Sequence, residues 1–224
     1  RPPGRDGVAV VTRQFTGLDP ARVRSNLERV RERISAAGRD PSDVEVCAAI
    51  KYVPVDELGV LAEAGIELVG ENRAQDLAAK HERFGDAFTW DFIGALQSRK
   101  VKDVAPLVRL IHSVASESAL RKLEAHPARE ILLQVNLAGE ESKEGIEPGD
   151  IGRFIAESPV PVTGLMTMPP FVTDAEDNRP YFARLAELAA EHGLSRLSMG
   201  TTQDFEVAAA EGATIVRLGT VLYE

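Results

Sequence analysis

Eight short apolar runs alternate with seven amphipathic stretches between residues 44 and 223, and this alternation restricts the fold more than any other feature of the chain. The runs are VEVCAAIKY, IELVGEN, TWDFIGAL, RLIHSVA, EILLQVNLA, VPVTGLMTM, RLSMGTT and TIVRLGTVLY. Each is short and partly β-branched, as strands buried on both faces are. The stretches between them, such as RAQDLAAKHERFG and RPYFARLAELAAEHG, carry apolar residues at helical spacing. Strands that alternate with helices form parallel sheets with right-handed crossovers. Eight such units in about 205 residues predict a compact (β/α)8 TIM barrel. A doubly wound sheet is the alternative, but no GxGxxG follows the first run and no P-loop is present.

An extra helix precedes the first unit. In DPARVRSNLERVRERISAAG, Val23, Leu27, Val30 and Ile34 share one stripe, Asp19 is placed to cap it, Pro20 takes the first position and Gly38 stops it. Residues 1–18, which open on RPPGRDG, are expected to be a disordered or extended segment. Residues 19–224 show no linker and no break in composition, and are read as one domain. The first residue is Arg1 rather than Met, so the native start is expected to differ.

The net charge of −9 argues against a general nucleic-acid or anionic-membrane surface, though not against a small local anion site. No apolar run approaches the about 18 residues that suggest a membrane span, and no signal peptide is visible. One cysteine, Cys47, permits neither an internal disulfide nor a paired-cysteine zinc site, and it is read as a buried structural thiol. The expected location is cytoplasmic.

Polar residues collect where the strands end: Lys51, Asn72, Gln97, Ser113, Asn136, Thr167, then Ser198 to Thr202, then Arg217, Gly219 and Thr220. In a barrel these ends share one rim, the rim on which such folds carry ligands. Any one of them taken alone is also a turn or cap residue. Lys51 closes an apolar run, and a lysine there holds an anion, attacks a carbonyl to form an imine, or simply snorkels to solvent. Two Gly/hydroxyl turns, SMGTT and RLGT, end the last two strands and resemble the phosphate sites of many barrels. A reactive lysine opposite a phosphate cup fits a molecule with both an aldehyde and a phosphate, and pyridoxal 5′-phosphate is one.

At these residues the chain resembles the pyridoxal phosphate homeostasis protein family, the single-domain relatives of the alanine racemase N-terminal barrel. The matching motifs include KYVP, GEN, FIGALQSRKVK, IHSV, QVNLAGEESKEG, GLMTMPP, RPYFARL, LSMGTTQDFEVAAAEGAT and VRLGT, in family order from about residue 20 onward. The resemblance implies an alanine racemase-like TIM barrel that binds pyridoxal 5′-phosphate. It implies Lys51 as the Schiff-base lysine, Asn72 beside the cofactor, and Met166 near the ring. Ser198, Met199, Gly200 and Thr202, with Gly219 and Thr220, would hold the phosphate end, and Arg217 would face the pyridine nitrogen. The chain departs from common family forms at Ile50 (Ser or Thr), Asp91 (His), Ala115 (Asp) and Thr202 (Ser), departures that bear on local hydrogen bonding.

Two classes of function follow: a cofactor binder acting in intracellular homeostasis, or a fold-type III enzyme such as an amino-acid racemase. A cofactor-free Schiff-base aldolase is a weaker third. The binder is favoured, because a two-base racemase needs an acid/base on each face of the ring. In the racemase relatives a tyrosine from an additional domain of the partner subunit supplies one of them. Tyr52 is expected to point away from Lys51, Tyr181 to be structural and Tyr223 to lie at a frayed end. His81, His126 and His192 are expected on helices, and His112 to face the helices in a structural role. The acidic loop GEESKEG at 139–145 reads as a solvated loop, and its match to the family implies that it shapes access to the rim; no chemical role is assigned to Lys143. The expected partners are the cofactor and apo-enzymes that receive it, with the protein a monomer. Val46, Ala48, Ile50 and Val53 are expected to surround Lys51 and make its amine easier to deprotonate.

Overall fold

The computed structural model describes residues 14–139 and 144–224; residues 1–13 of the expected N-terminal segment, and Glu140 to Lys143 of the acidic loop, lie outside the described residues. The eight strands are β1 (Glu45–Ala49), β2 (Leu68–Glu71), β3 (Thr89–Phe92), β4 (Leu110–Val114), β5 (Glu130–Gln134), β6 (Val162–Met166), β7 (Arg196–Ser198) and β8 (Ile215–Leu218). Each runs parallel to the next, and β8 closes on β1 with Glu45 opposite Ile215 and Ala48 opposite Leu218. This is the closed (β/α)8 barrel that the alternation predicts. The intervening helices are α2 (Leu58–Glu63), α3 (Ala74–Phe84), α4 (Val101–Val104), α5 (Glu117–Ala125), α6 (Ile151–Glu157), α7 (Arg179–Glu191) and α8 (Phe205–Ala210).

The leading helix, α1 (Pro20–Ala36), forms as its sequence dictates. The Asp19 carboxylate accepts from the Ala21 N–H at 3.1 Å, Pro20 occupies the first turn, and Gly38 leaves the helix at φ +85°. Its stripe of Val23, Leu27, Val30 and Ile34 is fully buried. Each such side chain contributes about 1.5–3 kcal/mol on leaving water.

The strands alternate their side chains between two packed layers. Cys47, Leu68, Leu110, Leu132, Met166 and Ile215 fill the barrel interior, while Ala48, Val69, Ile111, Leu133 and Val216 face the helices. Cys47 is buried as expected, and burial pushes its thiol well above the usual range.

The strands stop earlier than their apolar runs. β1 ends at Ala49, and β8 ends at Leu218 instead of running on to Tyr223. Residues 220–223 wind into a short helix, α9 (Thr220–Tyr223), that packs on α1. Two polar contacts hold it: Asn26 Nδ2, buried, donates to the Leu222 carbonyl at 2.9 Å, and the Tyr223 hydroxyl donates to the Ala49 carbonyl at 3.2 Å. Tyr223 is therefore buried, not frayed, and burial raises its phenol far above the ordinary value. Residues 14–18 close over it: Phe15 stacks against Tyr223 at 4.9 Å, and its N–H donates to the Tyr52 carbonyl at 2.9 Å. Asn26→Ala leaves the Leu222 carbonyl buried without this donor, so it should lower unfolding free energy by about 1–3 kcal/mol. Urea titration against wild type checks this.

Candidate functional site at the mouth of the barrel

The turns after β7 and β8 are brought together at the rim. The Arg217 N–H donates to the Gly200 carbonyl at 3.0 Å, and the Gly219 N–H donates to Thr202 Oγ1 at 3.4 Å. Gly200 has φ +91°, and a Cβ there would lie 2.6 Å from the Ala208 Cβ, so both backbone and packing require glycine. Asp204 fastens the same turn. Its Oδ1 accepts from the Thr201 N–H at 2.7 Å, and its Oδ2 accepts from Asn178 Nδ2 at 2.8 Å. A Cβ at Gly219 would meet nothing nearer than 3.8 Å, so the backbone here presents an open face. Thr220 is exposed beside it. The Met199 side chain is buried in the outer layer against the helices, which leaves its main chain to face the rim.

Arg217 is buried below these turns. It donates to Ser198 Oγ, to the Thr167 carbonyl at 3.0 Å and to Met168 Sδ at 2.8 Å. Burial pushes its guanidinium down to about 10, which leaves it charged at neutral pH. Ser198 also meets His112 Nδ1 at 2.8 Å, and His112 Nε2 meets Asp91 Oδ2 at 3.0 Å. Asp91 in turn accepts from Arg109 at 2.8 and 3.1 Å, and Arg109 reaches on to Glu45 at the barrel floor. His112 thus lies inside the barrel, not against the helices. Alternation carries the signal, because His112 is two residues from Leu110, which fills the interior.

Lys51 is not the buried lysine that its apolar run suggests. It lies on the turn after β1, exposed, with its ammonium 4.6 Å from the Tyr52 ring centroid. The apolar enclosure expected of it is absent, because Ile50 and Val53 turn into the outer core while Lys51 turns out. Tyr52 is correspondingly beside Lys51 rather than pointed away. Both line a cleft of about 480 Å³ with Arg73 and Asp76.

The lysine that is buried is Lys80. Its ammonium pairs with Glu71 Oε2 at 2.5 Å and donates to the Ile50 carbonyl at 2.7 Å. Glu71 Oε1 accepts from the N–H groups of Asn72 at 2.6 Å and Arg73 at 3.3 Å. One ion pair therefore ties the residue before Lys51 to the backbone of Asn72. Lys80 was missed because charge marks a surface position, yet it falls on the α3 stripe with Ala74 and Leu77. Asn72 Oδ1 is buried and takes no hydrogen bond among the described residues.

The other rim residues divide. Ser113 donates to the Gly94 carbonyl and Thr167 to the Val135 carbonyl, so both fasten the strand ends. Gln97 is exposed and accepts from Arg99 at 3.0 Å. Asn136 is buried, and Met166 sits in the interior cluster beneath the mouth. His126 and His192 are exposed, and His81 packs beside Trp90 with ring centroids 5.4 Å apart. Among the described residues no group of three or more His, Cys, Asp or Glu is placed to hold a metal ion.

Fold and rim together define an alanine racemase-like barrel. The lysine/ornithine decarboxylase of Vibrio vulnificus shares that fold at 15% identity, with a TM-score of 0.65 over 92% of this chain and 62% of that one. PipY of Synechococcus elongatus, solved with PLP bound, is 29% identical, with a TM-score of 0.77 over 90% of this chain and all of that one. The pyridoxal phosphate homeostasis protein of Aquifex aeolicus is 40% identical over 88% of this chain and 93% of its own length. No family model matches the chain. On these relatives, the chain belongs to the pyridoxal phosphate homeostasis protein family.

The ion pair at the β1 and β2 ends gives a graded test. Lys80→Met strands a buried carboxylate and should cost about 3–5 kcal/mol, whereas Lys80→Met with Glu71→Gln should cost less. Thermal or urea unfolding of the two variants checks the order.

Proposed function

We propose that the protein binds pyridoxal 5′-phosphate as a Schiff base on Lys51 and serves in intracellular cofactor homeostasis, storing or delivering the cofactor without robust turnover. The observation that carries the reading is the meeting of the β7 and β8 turns over buried Arg217. There the Gly219 N–H and the Thr202 hydroxyl meet, with Thr220 next in the chain, an arrangement that suits a phosphate group. The residues present fit the cofactor in two further respects: the buried Asn72 oxygen has no donor among the described residues, and Arg217 supplies a fixed cation for a ring nitrogen. When bound, the cofactor would supply an aldehyde. The Lys51 amine would add to it and lose water to form the C=N bond. Among the described residues the Lys51 ammonium makes no ion pair that would hold it away from an incoming aldehyde.

The acid/base groups near the rim support storage over turnover. Tyr223 is buried with its hydroxyl on a backbone carbonyl, and His112 is enclosed within the barrel. Both are committed to internal partners rather than held free as a second proton donor. We assign the protein to the cytoplasm as a monomer, with apo-enzymes as receivers. Among the described residues no helix is long and apolar enough to cross a membrane.

The test is borohydride reduction after loading with pyridoxal 5′-phosphate, followed by peptide mass analysis. The pyridoxyl group is expected on the Lys51 peptide; label on Lys80, Lys100, Lys102, Lys122 or Lys143 with Lys51 unmodified would overturn the assignment. Gly219→Leu tests the cup independently. The fold has room for its Cβ, and the side chain should weaken binding by about tenfold or more, a loss of at least 1.4 kcal/mol. Steady racemase or decarboxylase turnover that disappears in Lys51→Ala would replace the storage reading with an enzymatic one.

A further inference from the structure

We propose that Asp91, His112 and Ser198 form a positioning chain that fixes Arg217, and that His112 within it is neutral with its proton on Nε2. The arrangement has the order of a Ser–His–Asp triad, but the hydrogen-bond inventory gives it a different role.

Arginine can only donate, so Ser198 Oγ accepts from Arg217. The serine's own hydrogen is then free to point at its other neighbour, His112 Nδ1, 2.8 Å away. An Nδ1 that accepts carries no proton, which places the proton of a neutral ring on Nε2. There it meets Asp91 Oδ2 at 3.0 Å, the partner an N–H requires. The opposite tautomer would set a ring lone pair against a carboxylate oxygen. The ionised state of Asp91 is consistent with this assignment. Burial alone would raise its pKa, but the hydrogen bonds it accepts from His112 and Arg109, with the Arg109 charge, act the other way, and the group lies below the usual range. Burial also lowers His112, with Arg217 and Arg109 adding to the effect, and so favours the neutral ring.

Ser198 is fully buried, and its oxygen is committed to a cation. It is not available to attack a substrate. What the chain achieves is directional. Asp91 selects the histidine tautomer, the tautomer turns the serine hydrogen toward itself, and the serine lone pairs are left facing Arg217. Arg217 then lies between Ser198 Oγ and the Thr167 carbonyl with little freedom to rotate. Asp91, His112 and Ser198 are positioning residues for Arg217. Their bearing on the cofactor rests on the proposed function, whereas the tautomer and the arginine's rigidity do not.

The experiment starts with cofactor-free protein. Nitrogen-15 NMR at neutral pH should show His112 protonated on Nε2 alone, and the Arg217 guanidinium nitrogens as resolved, slowly rotating signals. Asp91→Asn can donate its amide to Nε2; by analogy with the aspartate-to-asparagine change in a serine protease triad, it should move the proton to Nδ1. Ser198→Ala should collapse the Arg217 signals while leaving the proton of His112 on Nε2. A wild-type ring protonated on Nδ1, or Arg217 signals unchanged in Ser198→Ala, would overturn the chain. With pyridoxal 5′-phosphate added, Ser198→Ala should bind about tenfold more weakly, the order of one hydrogen bond to a charged group, with a shifted absorption maximum. Unchanged affinity and spectrum would overturn the link from the chain to the cofactor. If wild type binds none, the proposed function fails, and the tautomer and arginine signals still decide the chain.

Discussion

A closed barrel of eight short parallel strands has no edge, so most side chains along its strands enter one of two dry layers. Apolar side chains settle this for most positions. Charged and polar ones must find partners there, because an unpaired buried charge costs several kcal/mol. The interior polar residues accordingly run in a connected line, from Glu45 and Arg109 at the floor through Asp91, His112 and Ser198 to Arg217 below the mouth. The same requirement acts outside the strands at Lys80, whose three-centre contact with Glu71 and Ile50 fixes two loops at once.

The architecture was legible because it rests on periodicity. The stripe of α1, the Asp19 cap and the eight strand–helix units are all local patterns, and all are present. The strand ends were less legible. Lys51 follows five residues of β1 with no change in hydrophobicity, yet Val53 donates to the Ile50 carbonyl at 3.0 Å and turns the chain before Lys51 can enter the core. Tyr223 misled in the other direction: it stands one residue from the last position, yet the distant Phe15 packs on its ring and the Ala49 carbonyl accepts from its hydroxyl.

The two Gly/hydroxyl turns were legible as composition, and the fold sets them side by side at the rim. The interior chain was not. Asp91 reads as a departure from a common family form, and its sense emerges only when β3 and β4 lie side by side. Arg109, just before β4, and His112, on it, then flank Asp91. Lys80 needed the same kind of information, because a lysine on an apolar stripe is an anomaly until the acid that neutralises it is found on the adjoining strand end.

The contact between Gly219 and Thr202 closes the two final turns on each other. At 3.4 Å it is a long, weak hydrogen bond. The Gly219 N–H and the Thr202 hydroxyl are each only partly committed by it, so the two turns are held in register while the rim keeps hydrogen-bonding capacity in hand.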